Sequence, residues 1–222
     1  MDRHHKSPLL VGVSVTLALM ALAGCRPSGD ADVQRGLALY EARQFDEAIP
    51  MFEKGLEQPL SAYSRSDILT TIGNCHYELD ELDKTLTFHD QALAEDPENE
   101  RAHVNMGIVF RLQGEYERAE ACYRQAMKLA PEYAELHGSM GTLAIVQGKF
   151  DEAIGHLERS IELDALHPVA HSNLAVAYAS VGRFDEADAE LQKAISLGYH
   201  QPDVIQERID GLRESAAENE SP

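Results

Sequence analysis

The chain has 222 residues, with 19 Lys and Arg against 38 Asp and Glu, for a net charge of −19. That length suits one sizeable domain. So acidic a chain is repelled by nucleic acid and by anionic lipid headgroups, which excludes nucleic acid as a partner and favours basic or neutral ones, although charge kept for solubility is an equal explanation.

Met1 to Lys6 is short and mildly basic, and Leu9 to Ala23 is an uncharged, mostly apolar run. The run is too short for a comfortable transmembrane helix and matches the apolar region of a secretion signal. It ends in Leu22-Ala23-Gly24-Cys25, which resembles the lipobox of bacterial lipoproteins. Small residues at 23 and 24 let an extended chain enter a peptidase cleft, and the Cys25 thiol is the nucleophile for lipid attachment. The resemblance implies a signal peptide over 1–24, removed on maturation, and a lipidated cysteine with its tether over 25–31. Each buried methylene of the acyl chains would add about 0.8 kcal/mol of anchoring. Residue 26 is Arg rather than Asp, which resembles the pattern sorted to an outer membrane. The expected location is therefore the bacterial cell envelope, lipid-anchored on the periplasmic face of the outer membrane. An uncleaved anchor, or an apolar start with a chance cysteine, is the plainer alternative. Without the segment before Cys25, where Arg3 and Lys6 stand against Asp2, the remainder carries −20.

Beyond Ala31, two columns of small residues keep one interval. Gly73, Gly107, Gly141 and Ala175 are each 34 apart, as are Thr85, Ala119, Ala153 and Ala187. Gly36 and Ala48 continue both columns upstream with three extra residues at the first junction. A period near 34 with two helices per unit is a known repeat signature. Five units follow, roughly 29–62, 66–99, 100–133, 134–167 and 168–201. Gly114, Gly148 and Gly182 mark the end of a first helix, where a left-handed residue is wanted. Phe45, Tyr116, Phe150 and Phe184 supply an aromatic after that turn, and Phe52 and Tyr123 fill a large apolar position in the second helix. Ala126 and Ala194 lie later in second helices. Asp46, Asp151 and Asp185, each followed by Glu, place negative charge near second-helix N-termini, where the helix dipole favours it. Pro97 and Pro131 close second helices, with Pro168 and Pro202 doing so slightly later.

These residues resemble the tetratricopeptide repeat family over about 29–201. The resemblance implies an all-α, right-handed α-solenoid of about five helix pairs over 32–201. It departs most in the second unit, where Asp80 replaces the turn glycine, Leu82 the aromatic, Thr85 the alanine and His89 the large apolar residue. In the first unit Arg43 stands at the glycine position. A last repeat leaves an apolar face open. Val204, Ile205, Ile209 and Leu212 share one helical face, which predicts a capping helix over 202–214. A disordered tail is expected over 215–222.

Signals for chemistry are poor. There is no glycine-rich phosphate loop, nucleophile elbow or paired-cysteine metal motif, so the chain is read as no enzyme, with no cofactor and no metal. Cys75 and Cys122 fall on different helices and are expected as two small buried thiols. His76 and His89 occupy core-lining positions of one unit, and His103, His137 and His171 recur at the period. That row is read as packing and surface imidazoles.

The family resemblance places a partner-binding groove along the first helices. Its expected lining is Val33, Leu37 and Tyr40 in unit one and Asn74 and Tyr77 in unit two. Unit three adds Arg101, Val104, Ile108 and Arg111. Unit four adds Thr142 and Ile145, and unit five adds Ser172 and Val176. One position along runs a polar row, Gln34, Thr71, Asn105, Ser139 and Asn173. Some superhelical members use an asparagine ladder to grip a peptide backbone through carboxamide donors and acceptors; here only Asn105 and Asn173 are asparagine. Members that clamp a chaperone C-terminus use lysines and an arginine where this chain has Thr70, Glu135 and Ser139, and Glu135 would repel a carboxylate. The expected function is a lipid-anchored adaptor or scaffold that binds protein or peptide segments in the envelope, in assembly of pilus, secretion or outer-membrane complexes. A self-associating structural envelope protein, a homo-oligomer, is the second reading. A histidine-based metal- or ligand-binding lipoprotein using His76 and His89 is the third.

Overall fold

The expected period becomes a physical contact in the first four units. The computed structural model describes residues 28–220, so the proposed signal segment and Cys25 lie outside the described residues. Those residues form eleven helices and no strand. The helices pair in chain order as α1 (Asp30–Glu41) with α2 (Phe45–Leu56), α3 (Arg65–Glu78) with α4 (Leu82–Glu95), and α5 (Glu100–Leu112) with α6 (Tyr116–Leu129). Next come α7 (Ala134–Val146) with α8 (Phe150–Leu163), then α9 (Pro168–Ser180) with α10 (Phe184–Ser196), and last α11 (Pro202–Glu220).

Within a pair, the small-residue column meets a large-residue column. A Cβ on Gly36 would lie 2.7 Å from the Phe52 ring, on Gly73 2.6 Å from His89, on Gly107 2.4 Å from Tyr123, and on Gly141 2.5 Å from Leu157. Only the absence of a side chain lets the two helices close to this distance. His89 therefore fills the same slot as the aromatics and Leu157, fully buried.

The turns are also alike despite different residues. Gly114, Gly148 and Gly182 have φ between +72° and +81°, and Arg43 and Asp80 adopt the same left-handed region at +58° and +60°. Each turn closes with the same backbone bond back onto its first helix. Gln44 N–H donates to Leu39, Glu81 to His76, Glu115 to Phe110, Lys149 to Ala144 and Arg183 to Tyr178, at 2.8–2.9 Å. This is a Schellman closure in all five units, so glycine at this position is favourable but not required.

Polar contacts join the helices of the second and fourth units. Asn99 Nδ2 donates to Ser66 Oγ (2.7 Å) and Thr70 Oγ1 (3.1 Å), while its Oδ1 caps α5 by accepting from Ala102 N–H at 3.0 Å. Ser66 Oγ in turn donates to the Ala92 carbonyl at 2.9 Å, joining α3 to α4. In the fourth unit Ser160 Oγ donates to the Ala134 carbonyl at 2.8 Å and joins α8 to α7.

Four expectations need correction. The tether does not reach residue 31, because α1 begins at Asp30, whose carboxylate accepts from the backbone of Ser61 and Ala62 and holds that loop. Pro168 and Pro202 open helices instead of closing them; a first-turn N–H is unpaired anyway, so proline is tolerated there. The final helix does not stop at 214, and 215–220 is helical rather than a disordered tail. Its Ile205 and Ile209 bury into the last core cluster and Leu212 packs beside it, whereas Val204 is left 59% exposed. Of the thiols, Cys75 is buried but Cys122 only partly so, and both are free.

Candidate functional site

The first helices α1, α3, α5, α7 and α9 present side chains to one side, where three adjoining pockets form a continuous trough. The central one has a volume of about 180 Å³ and is floored by His89 and Thr85 between Tyr40, Tyr77 and Ile108. A second, about 410 Å³, runs from it toward α1 past Leu37, Thr71 and Arg101. A third, also about 410 Å³, runs toward α9 past Arg111, Thr142, Val169 and Asn173. Glu135 lines all three. Tyr40, Asn74 and Asn105 are shared by the first and second, Tyr77 and Ile108 by the first and third.

Ten of the residues expected in the groove are brought together here. Leu37, Tyr40, Asn74, Tyr77 and Arg101 line its α1 end and middle. Asn105, Ile108, Arg111, Thr142 and Asn173 line its middle and α9 end. Five are not available to a partner. Val33, Val104 and Ser172 are fully buried, and Ile145 and Val176 nearly so. Val33, Val104 and Ser172 belong to one repeat column whose other members, Thr70 and Gly138, are buried too, so that column faces the neighbouring helices. Val176 is buried for a different reason: it joins the cluster that holds Ile205 and Ile209 of α11.

The polar row is tied within the trough. Asn105 Nδ2 donates to Asn74 Oδ1 at 2.7 Å, and Asn173 Nδ2 donates to Thr142 Oγ1 at 2.9 Å. Thr71 Oγ1 donates to the Asp67 carbonyl of its own helix at 2.8 Å, and Gln34 is exposed. Each asparagine spends one N–H on the preceding unit and keeps its own carbonyl oxygen as an acceptor.

Sequence reasoning missed Tyr133, Glu78, His167 and Val169 as lining residues. Tyr133 and His167 are N-cap residues of α7 and α9, outside the helical period. Glu135 carried a signal, its mismatch with a carboxylate clamp. It accepts a hydrogen bond from Tyr133 Oη. Burial, then the Glu135 carboxylate, pushes the Tyr133 phenol well above its usual range. Arg101 pairs with Asp67 at 3.2 Å and Arg43 with Glu78 at 2.5 Å.

The histidines divide into structural roles. In three successive units the first-helix imidazole Nε2–H donates to the carbonyl six residues before it. His103 reaches Pro97 at 3.2 Å, His137 reaches Pro131 at 2.9 Å, and His171 reaches Ala165 at 3.2 Å. The row thus latches each first helix to the turn that precedes it. His76 and His89 have different surroundings: His76 bonds Glu81 at 2.6 Å and stacks on Phe88, while His89 lies against Gly73 with both ring nitrogens unpartnered. Burial pushes the His89 imidazole down to about 4. Burial likewise pushes the Cys75 and Cys122 thiols up to about 12 and about 11, which makes them poor nucleophiles. Among the described residues no group of three or more His, Cys, Asp or Glu is placed to hold a metal ion, and no helix is long and apolar enough to cross a membrane.

Tetratricopeptide repeat family profiles match residues 64–132 and 98–165, and a second such profile matches 144–204. Among solved structures, a thermophilic tetratricopeptide repeat protein of Thermus thermophilus aligns at TM-score 0.66 and 23% identity, covering 83% of this chain and 98% of that one. PilF of Pseudomonas aeruginosa aligns at TM-score 0.68 and 21% identity, covering 85% and 86%. MamA of Desulfovibrio magneticus RS-1 aligns at TM-score 0.59 and 16% identity, covering 78% and 96%. At these identities the likeness is one of fold. No curated protein matches the chain.

Proposed function

We infer that this chain, which belongs to the tetratricopeptide repeat family, acts as an adaptor that holds segments of other proteins in its first-helix trough. The observation that carries this reading is adjacency: Glu135 borders all three pockets, so they adjoin along one face from Leu37 to Asn173. Such a surface suits an extended or helical segment of a partner, and no bond is made or broken in its work. Repeat proteins of this family are typically non-enzymatic scaffolds.

The proposal extends to place. The lipobox-like residues 22–25 and the basic start before them support a lipid on Cys25, with the repeat domain tethered in a bacterial cell envelope. The role proposed there is presentation: the anchor fixes the trough at a membrane, where it docks components of a pilus, secretion or outer-membrane assembly.

Proteins copurifying with the full chain from its own cells test the trough, using Tyr77→Asp against Ala121→Asp. Ala121 is an exposed second-helix residue that lines none of the trough pockets. Loss of the same partners with Tyr77→Asp only is expected, and equal retention by both would overturn the reading. For the anchor, Cys25→Ser is expected to move the protein from the membrane fraction to the soluble one.

A further inference from the structure

The central pocket differs from its neighbours in charge. Its only charged lining residues are two carboxylates, Glu78 and Glu135, whereas the pockets on either side also carry Arg101 or Arg111. Its walls include the phenol rings of Tyr40 and Tyr77. A cation near the face of such rings is attracted by their quadrupole. Asn105 donates to Asn74 and keeps its own carbonyl oxygen as an acceptor. The floor is His89, which is fully buried with neither ring nitrogen partnered. At about 180 Å³ the space exceeds several waters, each of which occupies about 30 Å³ in the liquid.

We propose that this pocket selects a lysine or arginine side chain of the bound segment, seated between Tyr40 and Tyr77 with its charge on Glu135. The proposal rests on the trough reading and names the chemistry of its partner. Glu78 is already paired with Arg43, so Glu135 is the carboxylate with charge to spare. Its bond from Tyr133 Oη holds it in place and leaves further lone pairs, since a carboxylate accepts several donors. A carboxylate guest would be repelled, and an apolar guest would strip water from Glu135 without replacing its hydrogen bonds. His89 adds no competing charge, because burial keeps it neutral down to about pH 4. The aliphatic stem of a lysine or arginine suits Ile108 and the ring faces.

The test is selection of a random peptide library, displayed on phage, against the full chain at physiological ionic strength, where exposed charges are screened within about 8 Å. The expected result is a lysine or arginine at one fixed position of the selected peptides. Glu135→Gln should weaken those peptides about tenfold or more and flatten the preference at that position. Replacing the peptide's basic residue by Gln should cost little further in Glu135→Gln, as a direct pair requires. Glu135→Gln removes one charge from a chain at −19, so a general pull on basic peptides would survive it. Basic enrichment that is unchanged by Glu135→Gln, or spread over all positions, would overturn the pocket. Val169→Asp, in the α9 end of the trough, separates the two readings. Peptides lost with Val169→Asp but with no basic position would overturn the pocket and keep the trough. Peptides indifferent to both substitutions would overturn both.

Discussion

Gly107 lies flat against the Tyr123 ring: a Cβ added there would stand 2.4, 2.7 and 2.9 Å from three successive ring atoms. Because three atoms of one buried ring are involved, no tip rotation relieves the clash. The contact is the physical content of the 34-residue column, and it recurs as Gly36 on Phe52, Gly73 on His89 and Gly141 on Leu157.

Gly107→Ala should therefore destabilise the protein by about 1–3 kcal/mol, the usual cost of overpacking, despite the better helix propensity of alanine. Gly155, inside α8, has nothing within 4 Å of an added Cβ. There the same substitution should stabilise by about 0.5–1 kcal/mol. Denaturant melts of the two variants should move in opposite directions.

Much of the fold was legible because one period governs both members of each contact: a glycine column and a large-residue column cannot drift apart without opening the helix pair. The trough was legible only in part. Leu37 and Tyr40 line it, but Val33, four residues before Leu37 on the same helix face, is buried under neighbouring helices. A period tells which face of a helix is apolar. It does not tell how far the next unit overlaps that face. Val176 was lost to the trough because it is buried in the core cluster that also holds Ile205 and Ile209 of the last helix, a tertiary fact absent from any single repeat. The cap's own end was misread for a local reason, since a polar run from Ser215 resembles a frayed terminus, yet Ser215 Oγ bonds the Gly211 carbonyl along a continuing helix.

Acid should weaken the fold through His89. Burial lowers its folded pKa from 6.5 to about 4, so the unfolded chain takes up the proton first. The contribution is fully present above pH 6.5 and is lost as pH falls from there toward 4. That gap, at about 1.4 kcal/mol per pH unit, is worth about 3 kcal/mol. His89→Phe, which places in this unit the side chain that Phe52 has in the first, should remove that part of the pH dependence. Stability from denaturant melts at neutral pH and near pH 4.5 should fall less in the variant than in the parent chain. An equal fall in both would show that His89 is not held neutral.

The left-handed turn at Asp80 has φ +60° where three other units use glycine. A residue with a Cβ costs about 1–2 kcal/mol there, less for aspartate, which tolerates the region better than most. Asp80→Gly should stabilise by about 0.5–1 kcal/mol without changing helical content. Thermal melts followed by circular dichroism read both quantities.

Asn99 joins a cap to a buried junction. Asn99→Ala removes the acceptor for Ala102 N–H and the donor to Ser66 and Thr70. A lost cap costs about 1 kcal/mol, and buried acceptors left unpaired about 1–3 kcal/mol more. The loss should appear as faster hydrogen exchange in α3 to α5, the helices that meet there, before the rest of the chain.

The central claim is that the first-helix trough is the working surface. In-cell photocrosslinking tests it most directly, with a photoreactive phenylalanine at Tyr77, which is 38% exposed between two pockets, and a control at Ala121. The predicted result is one discrete partner crosslinked from Tyr77 and absent from Ala121. Crosslinks from Ala121 alone, or only to a second copy of this chain, would contradict the account.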